Sequence, residues 1–148
     1  MRLLIQRVSW AEVKVHERIT GQIQKGLLIL VGFGENDTPD ILPKAAHKLI
    51  HLRVFPDSEG RMNRSLQEVG GEMLVVSQFT LYGELKKGFR PSFAKAASAE
   101  KARALYEAFL REIQRQAPEI RLQTGEFGAH MAVSSCNDGP VTLWVELE

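Results

Sequence analysis

Cysteine is almost missing from this sequence: Cys136 is the only one in 148 residues. One thiol excludes an internal disulfide and points to a reducing, cytoplasmic compartment. An excess of charge is missing too, since 19 basic and 18 acidic side chains leave a formal net charge of +1. That balance excludes a strongly basic nucleic-acid coat and an acidic disordered tail, so any RNA or phosphate contact must come from a local patch. No apolar run approaches the ~18 residues needed to span a bilayer. The stretch from Met1 to Trp10 has neither a long apolar core nor a small-residue cleavage site, so no signal peptide is expected. Repeats, low-complexity tracts and linkers are also lacking. What remains, 44% hydrophobic and 25% charged, reads as one globular domain over residues 1–148.

The apolar pattern predicts a long strand from almost the first residue to Val15, its second half alternating apolar and polar. Leu27 to Gly34 is nearly all apolar, as in a strand buried on both faces. A helix is expected from about Asp40 to Leu52, with Asp40 as N-cap and Pro43 in the first turn. Val54 and Phe55 begin a short strand, and Asp57 to Asn63 is turn chemistry. Met73 to Phe79 reads as a strand, followed by a long irregular segment from Thr80 to Ala97. A second helix starts at the N-cap Ser98, buries Ala102, Leu105, Phe109 and Ile113, and stops at Pro118. Ile120 to Leu122 is a short strand. His130–Cys136 and Val141–Leu147 alternate around a turn at Asn137–Pro140. This order predicts an α+β fold, a mostly antiparallel sheet or barrel with two main helices packed on it.

Five features could carry chemistry. His47 and His51, four apart on a helix, share one face, as two ligands of a zinc site or as surface histidines. His16 and His130 stand alone. Cys136 reads as a small buried hydrophobe unless the fold supplies a histidine. Ser77-Gln78-Phe79-Thr80 ends an apolar strand with two hydroxyls and an amide. Such a strand end can polarise a carbonyl, or its hydroxyls can simply satisfy local backbone. Thr80 as a nucleophile would need a base, and Glu84 is the nearest acid in sequence. The run from Lys86 to Lys95 carries Lys86, Lys87, Arg90 and Lys95 interleaved with Phe89 and Phe93. It fits an RNA end or a nucleotide, or a solvated basic loop. In Asn137-Asp138-Gly139-Pro140, Pro140 cannot donate to a ladder, and Gly-Pro bonds adopt cis more readily than other peptide bonds. A cis bond would aim two successive carbonyls to one side, whereas a trans bond would leave an ordinary turn.

Taken in order, these segments resemble the D-aminoacyl-tRNA deacylases. The resemblance rests on Ser77-Gln78-Phe79-Thr80 and Asn137-Asp138-Gly139-Pro140. It extends to Gln6-Arg7-Val8, Gly26-Leu27-Leu28, Gly60-Arg61-Met62-Asn63 with Ser65-Leu66, and Arg90-Pro91-Ser92-Phe93. Phe89 departs from it, standing where a polar residue is more usual. The resemblance implies a metal-independent, cofactor-free homodimer. It would hydrolyse the ester of D-aminoacyl-tRNA and of mischarged glycyl-tRNA at two sites on the subunit interface. Ser77, Gln78, Phe79 and Thr80 would line the pocket for the terminal adenosine and the ester. Gly139 and Pro140 would enter from the other subunit, held by Arg7 and framed by Asn137. Their carbonyls would accept from the α-amino group and obstruct an L side chain. Lys86, Lys87 and Arg90 would contact tRNA. Catalysis is expected to lean on the ribose 2′-hydroxyl more than on Thr80. Two other readings share these features: an editing deacylase of relaxed chirality, and a non-catalytic module that binds RNA 3′ ends.

Overall fold

The computed structural model describes residues 1–148. Strand β1 (Arg2–Val15) is the spine of the sheet, flanked by β2 (Arg18–Ile23) and β3 (Gly26–Gly32) on one side. After β3, a 3-10 turn at Pro39–Ile41 leads into helix α1 (Leu42–His51). A small hairpin of β4 (Phe55–Pro56) and β5 (Met62–Arg64) precedes β6 (Glu72–Ser77). Helix α2 (Ala99–Gln116), β7 (Leu122–Thr124) and the long β8 (Ala132–Glu146) complete the chain.

The sheet runs β2-β1-β3-β6-β7, with β8 on the far side of β1. Pairs involving β1 are antiparallel, while β3–β6 and β6–β7 are parallel. Each parallel pair is joined by a crossover through a helix, the connection a parallel pair requires. The end strands β2 and β7 nearly close the sheet into a barrel. Gly21 permits that approach: a Cβ there would sit 2.2 Å from the Thr124 carbonyl oxygen. The expected α+β barrel with two helices is therefore observed, with these two parallel pairs added.

Alternation sorts the core. Leu3, Ile5, Leu27, Ile29, Val31, Met73 and Val75 point from the sheet toward the helices. There they meet Leu49 and Ile50 of α1 and Leu105, Phe109 and Ile113 of α2. The opposite face fills the barrel with Val8, Ala11, Val13, Ile23, Leu28, Leu74 and Val76. Strand β3 supplies both layers, which explains its unbroken apolar run.

Three local expectations change. The α1 region starts with Thr38 ahead of the 3-10 turn, so Asp40 lies inside that turn and is no N-cap. Pro43 takes the second position of the α-helix proper, where its missing N–H costs no bond. The short strand near 120 falls at Leu122–Thr124 instead of Ile120–Leu122. Residues 132–146 form one strand and not a hairpin, because both halves pair with β1. Ser98 caps α2 as expected, its hydroxyl accepting from the Lys101 N–H at 3.3 Å.

Candidate functional site

Strand β6 delivers the Ser77-Gln78-Phe79-Thr80 segment to the end of the sheet. Ser77 is its last residue, the Gln78 N–H still donates to the Val31 carbonyl at 2.7 Å, and the chain then turns into a short 3-10 helix, Phe79–Tyr82. The segment borders a cavity of about 480 Å³, lined mostly by apolar groups. Ser77, Gln78 and Phe79 form one wall, and Phe127, Gly128, Ala129, His130 and Met131 form the other. Gly32 and Phe33 lie at its base with Ala97, Ala99 and Ala102.

Thr80 stands on the rim, exposed, and does not line the cavity. Its hydroxyl accepts a hydrogen bond from the Gln78 side-chain amide, which cannot take up a proton. Within the 3-10 turn, Leu81 and Gly83 donate back to the Gln78 and Thr80 carbonyls. The Phe79 and Thr80 N–H groups open that turn and donate to nothing else in the chain. The arrangement thus offers two free amide donors beside an apolar chamber, and no general base on Thr80.

The basic loop joins this wall. Glu84 and Ser92 bridge its neck with bonds of 2.8 and 3.1 Å. Lys86, Lys87, Phe89 and Arg90 are exposed beyond that bridge. At the foot, Phe93 packs edge-on to Phe79, with ring centroids 5.1 Å apart.

The second motif is built on β8 and lies elsewhere. Gln6 faces Thr142 and Val8 faces Asn137, so Arg7 alone stands opposite Asp138, Gly139, Pro140 and Val141. Those four residues are pushed out of the ladder as a corner. The Gly139–Pro140 bond is cis. Gly139 adopts φ +141, and a Cβ there would meet the Val141 nitrogen at 2.9 Å. Arg7, whose side chain is only 12% exposed, grips the corner from below. Its Nε donates to the Asp138 carbonyl at 2.9 Å and its Nη1 to the Val54 carbonyl at 2.6 Å. Asn137 braces the other end: Oδ1 accepts from the Val141 N–H at 3.0 Å, and Nδ2 donates to the Thr142 hydroxyl at 2.9 Å. Gly139 and Pro140 themselves are exposed.

Within one chain the two motifs do not meet. Arg7 is level with Leu27 and Met73, four residues short of Val31 and Ser77, and β8 is three strands from β6. At about 4.8 Å per strand and about 3.3 Å per residue, the corner lies roughly 20 Å from Ser77 along the sheet.

Other candidates separate from both motifs. His47 and His51 stack with ring centroids 4.1 Å apart, and no third metal-ligating side chain joins them. Cys136 is exposed on β8, contrary to the buried position expected, because this strand is an edge open to solvent. The wall from Phe127 to Met131 was not visible in the sequence, where His130 stands isolated. Its one local signal is the pair Gly125 and Gly128 flanking Glu126 and Phe127. No helix is long and apolar enough to cross a membrane.

Comparison with known proteins adds an independent line. The family model described as D-Tyr-tRNA(Tyr) deacylase matches residues 4–146. A D-aminoacyl-tRNA deacylase of Bacillus pumilus is 51% identical over 99% of this chain and 98% of its own length. A namesake from Thermosipho melanesiensis is 49% identical over 99% of this chain and 97% of its own. Among solved structures, a c-Myc DNA unwinding element binding protein superposes with a TM-score of 0.93 at 37% identity, covering 100% of this chain and 99% of that one. A probable eukaryotic D-amino acid tRNA deacylase, 19% identical, shares the fold with a TM-score of 0.86 over 99% of this chain and 98% of its own.

Proposed function

The chain belongs to the D-Tyr-tRNA(Tyr) deacylase family, and on that premise we propose how it works as a hydrolase of the D-aminoacyl-tRNA ester. The terminal adenosine and the aminoacyl group occupy the cavity beside Ser77, Gln78 and Phe79. Gly139 and Pro140 of a second copy complete it. Supporting this is the one observation that carries the reading: the corner is braced by Arg7 and Asn137 to project outward, roughly 20 Å from its own chain's cavity. A motif fixed so firmly, and so far from its own chain's cavity, is placed to serve a neighbouring molecule.

Strand β8 supplies a reason for the neighbour. It runs 15 residues, is exposed almost throughout, and pairs only with β1. Trp10, Val133, Leu143 and Trp144 are large apolar side chains exposed on or beside it. A long edge of this kind invites pairing with another chain.

In the shared site, the free Phe79 and Thr80 N–H groups donate to the oxyanion that forms as water attacks the ester carbonyl. The C–O bond to the ribose then breaks, and the proton lost by water reaches the departing ribose oxygen through the neighbouring 2′-hydroxyl. Thr80 positions and polarises; it does not bond to the acyl group. Chirality is sorted by obstruction. The Gly139 and Pro140 carbonyls accept from the α-amino group and occupy the direction an L side chain would take. Glycine has nothing to collide, so glycyl-tRNA is also a substrate. Lys86, Lys87 and Arg90 hold tRNA phosphate near the cavity mouth.

The test is single-turnover deacylation of D-Tyr-tRNA, L-Tyr-tRNA and Gly-tRNA by the purified protein. D-Tyr and Gly esters should turn over, and the L ester should react at least about a hundredfold more slowly, equivalent to about 3 kcal/mol. Equal cleavage of both enantiomers would establish the relaxed editing enzyme instead. Tight binding with no turnover would establish the binding module.

A further inference from the structure

The exposed face of α1 breaks two local rules. Lys44, His47, Lys48 and His51 fall at i, i+3, i+4 and i+7, so they line one face, and all four are exposed. Lys44 and Lys48 are like charges one turn apart, a repulsive pair on a helix. Lys44 also sits in the first turn, the end of the helix dipole that disfavours cations, and no acid is present there to offset it. Arg53 continues the strip just beyond the helix, and the shallow depression they share contains no acidic side chain.

None of these cations forms an ion pair within the chain. Glu68, which feels the Arg53 charge, is engaged by the Ser65 N–H at 3.1 Å, and Asp40, exposed in the 3-10 turn four residues before Lys44, makes no ion pair with it. In a molecule of net charge +1, such a strip is a concentrated local field.

Its place in the fold gives it a direction. Arg53 precedes Val54, whose carbonyl accepts from Arg7, and Arg7 also holds the corner at Asp138. The strip therefore ends beside the Gly139–Pro140 corner, remote from the cavity wall that carries the Lys86–Arg90 loop.

We propose that Lys44, Lys48 and Arg53, with His47 and His51 as additional donors, form a binding surface for the phosphodiester backbone of the tRNA whose aminoacyl end lies in the other subunit's cavity. This rests on the dimeric reading above. The corner of one subunit enters the cavity of the other, so the strip beside it flanks the RNA as it leaves that cavity. Such contacts read no sequence, so they would add affinity for the tRNA body whatever its identity. Along the helix axis Lys44 and His51 are about 11 Å apart, enough to reach successive phosphates.

The test compares the full-length protein with its Lys44→Ala/Lys48→Ala/Arg53→Ala variant on two substrates: D-Tyr-tRNA, and a D-tyrosyl ester of the trinucleotide CCA, too short to reach the strip. On tRNA at 50 mM salt, kcat/KM should fall about tenfold or more through KM, with kcat preserved. The plot of log kcat/KM against log salt should flatten by about two to three units, roughly one per phosphate contact removed. Turnover of the short ester should stay within about twofold, which also certifies the fold. Unchanged kinetics on tRNA would overturn the proposal, as would equal losses on both substrates. A wild-type protein inactive on both esters would instead overturn the functional reading on which the proposal rests.

Discussion

Replacing Arg7 with alanine tests the corner most directly. Arg7 makes two charge-assisted bonds of unequal value. The Val54 carbonyl belongs to a residue only 4% exposed, so water cannot readily replace the guanidinium there. Such a bond contributes about 1.5–3 kcal/mol. Asp138 is an exposed residue, so water can take over much of the second bond, to its backbone carbonyl, and of the 3.5 Å ion pair with its carboxylate. Arg7→Ala should therefore cost about 2 kcal/mol in folding stability. For a domain of this size that lowers Tm by about 4–8 °C, measurable by calorimetry. Activity should suffer more than stability. With Asp138 released, the corner is anchored by Asn137 alone, and a displacement of about 1 Å at a reacting site can cost on the order of a hundredfold. Turnover of D-Tyr-tRNA should fall by that order, and rejection of the L ester should weaken. Arg7→Lys should recover part of the Tm and little of the selectivity, because one ammonium cannot reproduce the guanidinium fork. If Arg7→Ala shows the thermal loss but keeps both the D rate and the L rejection within twofold, the corner has no part in selection.

Two further outcomes follow from other bonds. Thr80→Ala should keep most of the D-Tyr-tRNA turnover, since the hydroxyl's hydrogen bond is with the Gln78 amide, while a substrate ending in 2′-deoxyadenosine should be nearly inert; a dead but folded Thr80→Ala protein would overturn the 2′-hydroxyl-led reading and favour a direct chemical role for Thr80. Tyr106 donates to the Val75 carbonyl at 2.8 Å inside the core, and burial pushes its phenol well above the usual value of 10.0. The unfolded chain therefore loses that proton first, so stability should decline as pH rises past about 10. Tyr106→Phe should flatten this alkaline decline in urea titrations and cost about 1 kcal/mol at neutral pH.

Much of the fold was legible because the relevant signals were local. The unbroken apolar run of β3 announced burial on both faces, and Ser98 with Glu100 announced the start of α2. The hairpin expected at Asn137–Pro140 shows where locality fails. Two alternating segments around Asp-Gly look alike whether they pair with each other or with a third strand, and only the partner β1 decides. Asp40 misled for a related reason: its side chain suits an N-cap, but Pro39 starts a 3-10 turn earlier and carries Asp40 inside it. Within the candidate site, Ser77–Phe79 could be read because a hydroxyl and an amide at the end of an apolar strand, with the Thr80 hydroxyl just beyond, are unusual. The wall at Phe127–Met131 mixes an aromatic ring, two small residues, an isolated histidine and a methionine, with no spacing that sets it apart from ordinary packing. The distance between the two motifs depends on strand order, which no short segment encodes.

The way the corner is inserted into β8 has a consequence for how this protein could change. Four residues stand opposite one, so a strand shorter by three would rejoin its ladder with every remaining residue still facing its present neighbour on β1. The scaffold does not need the excursion. An architecture that can shed the corner proposed to sort enantiomers, without disturbing its foundations, can give rise to relatives that keep the chamber and lose that corner.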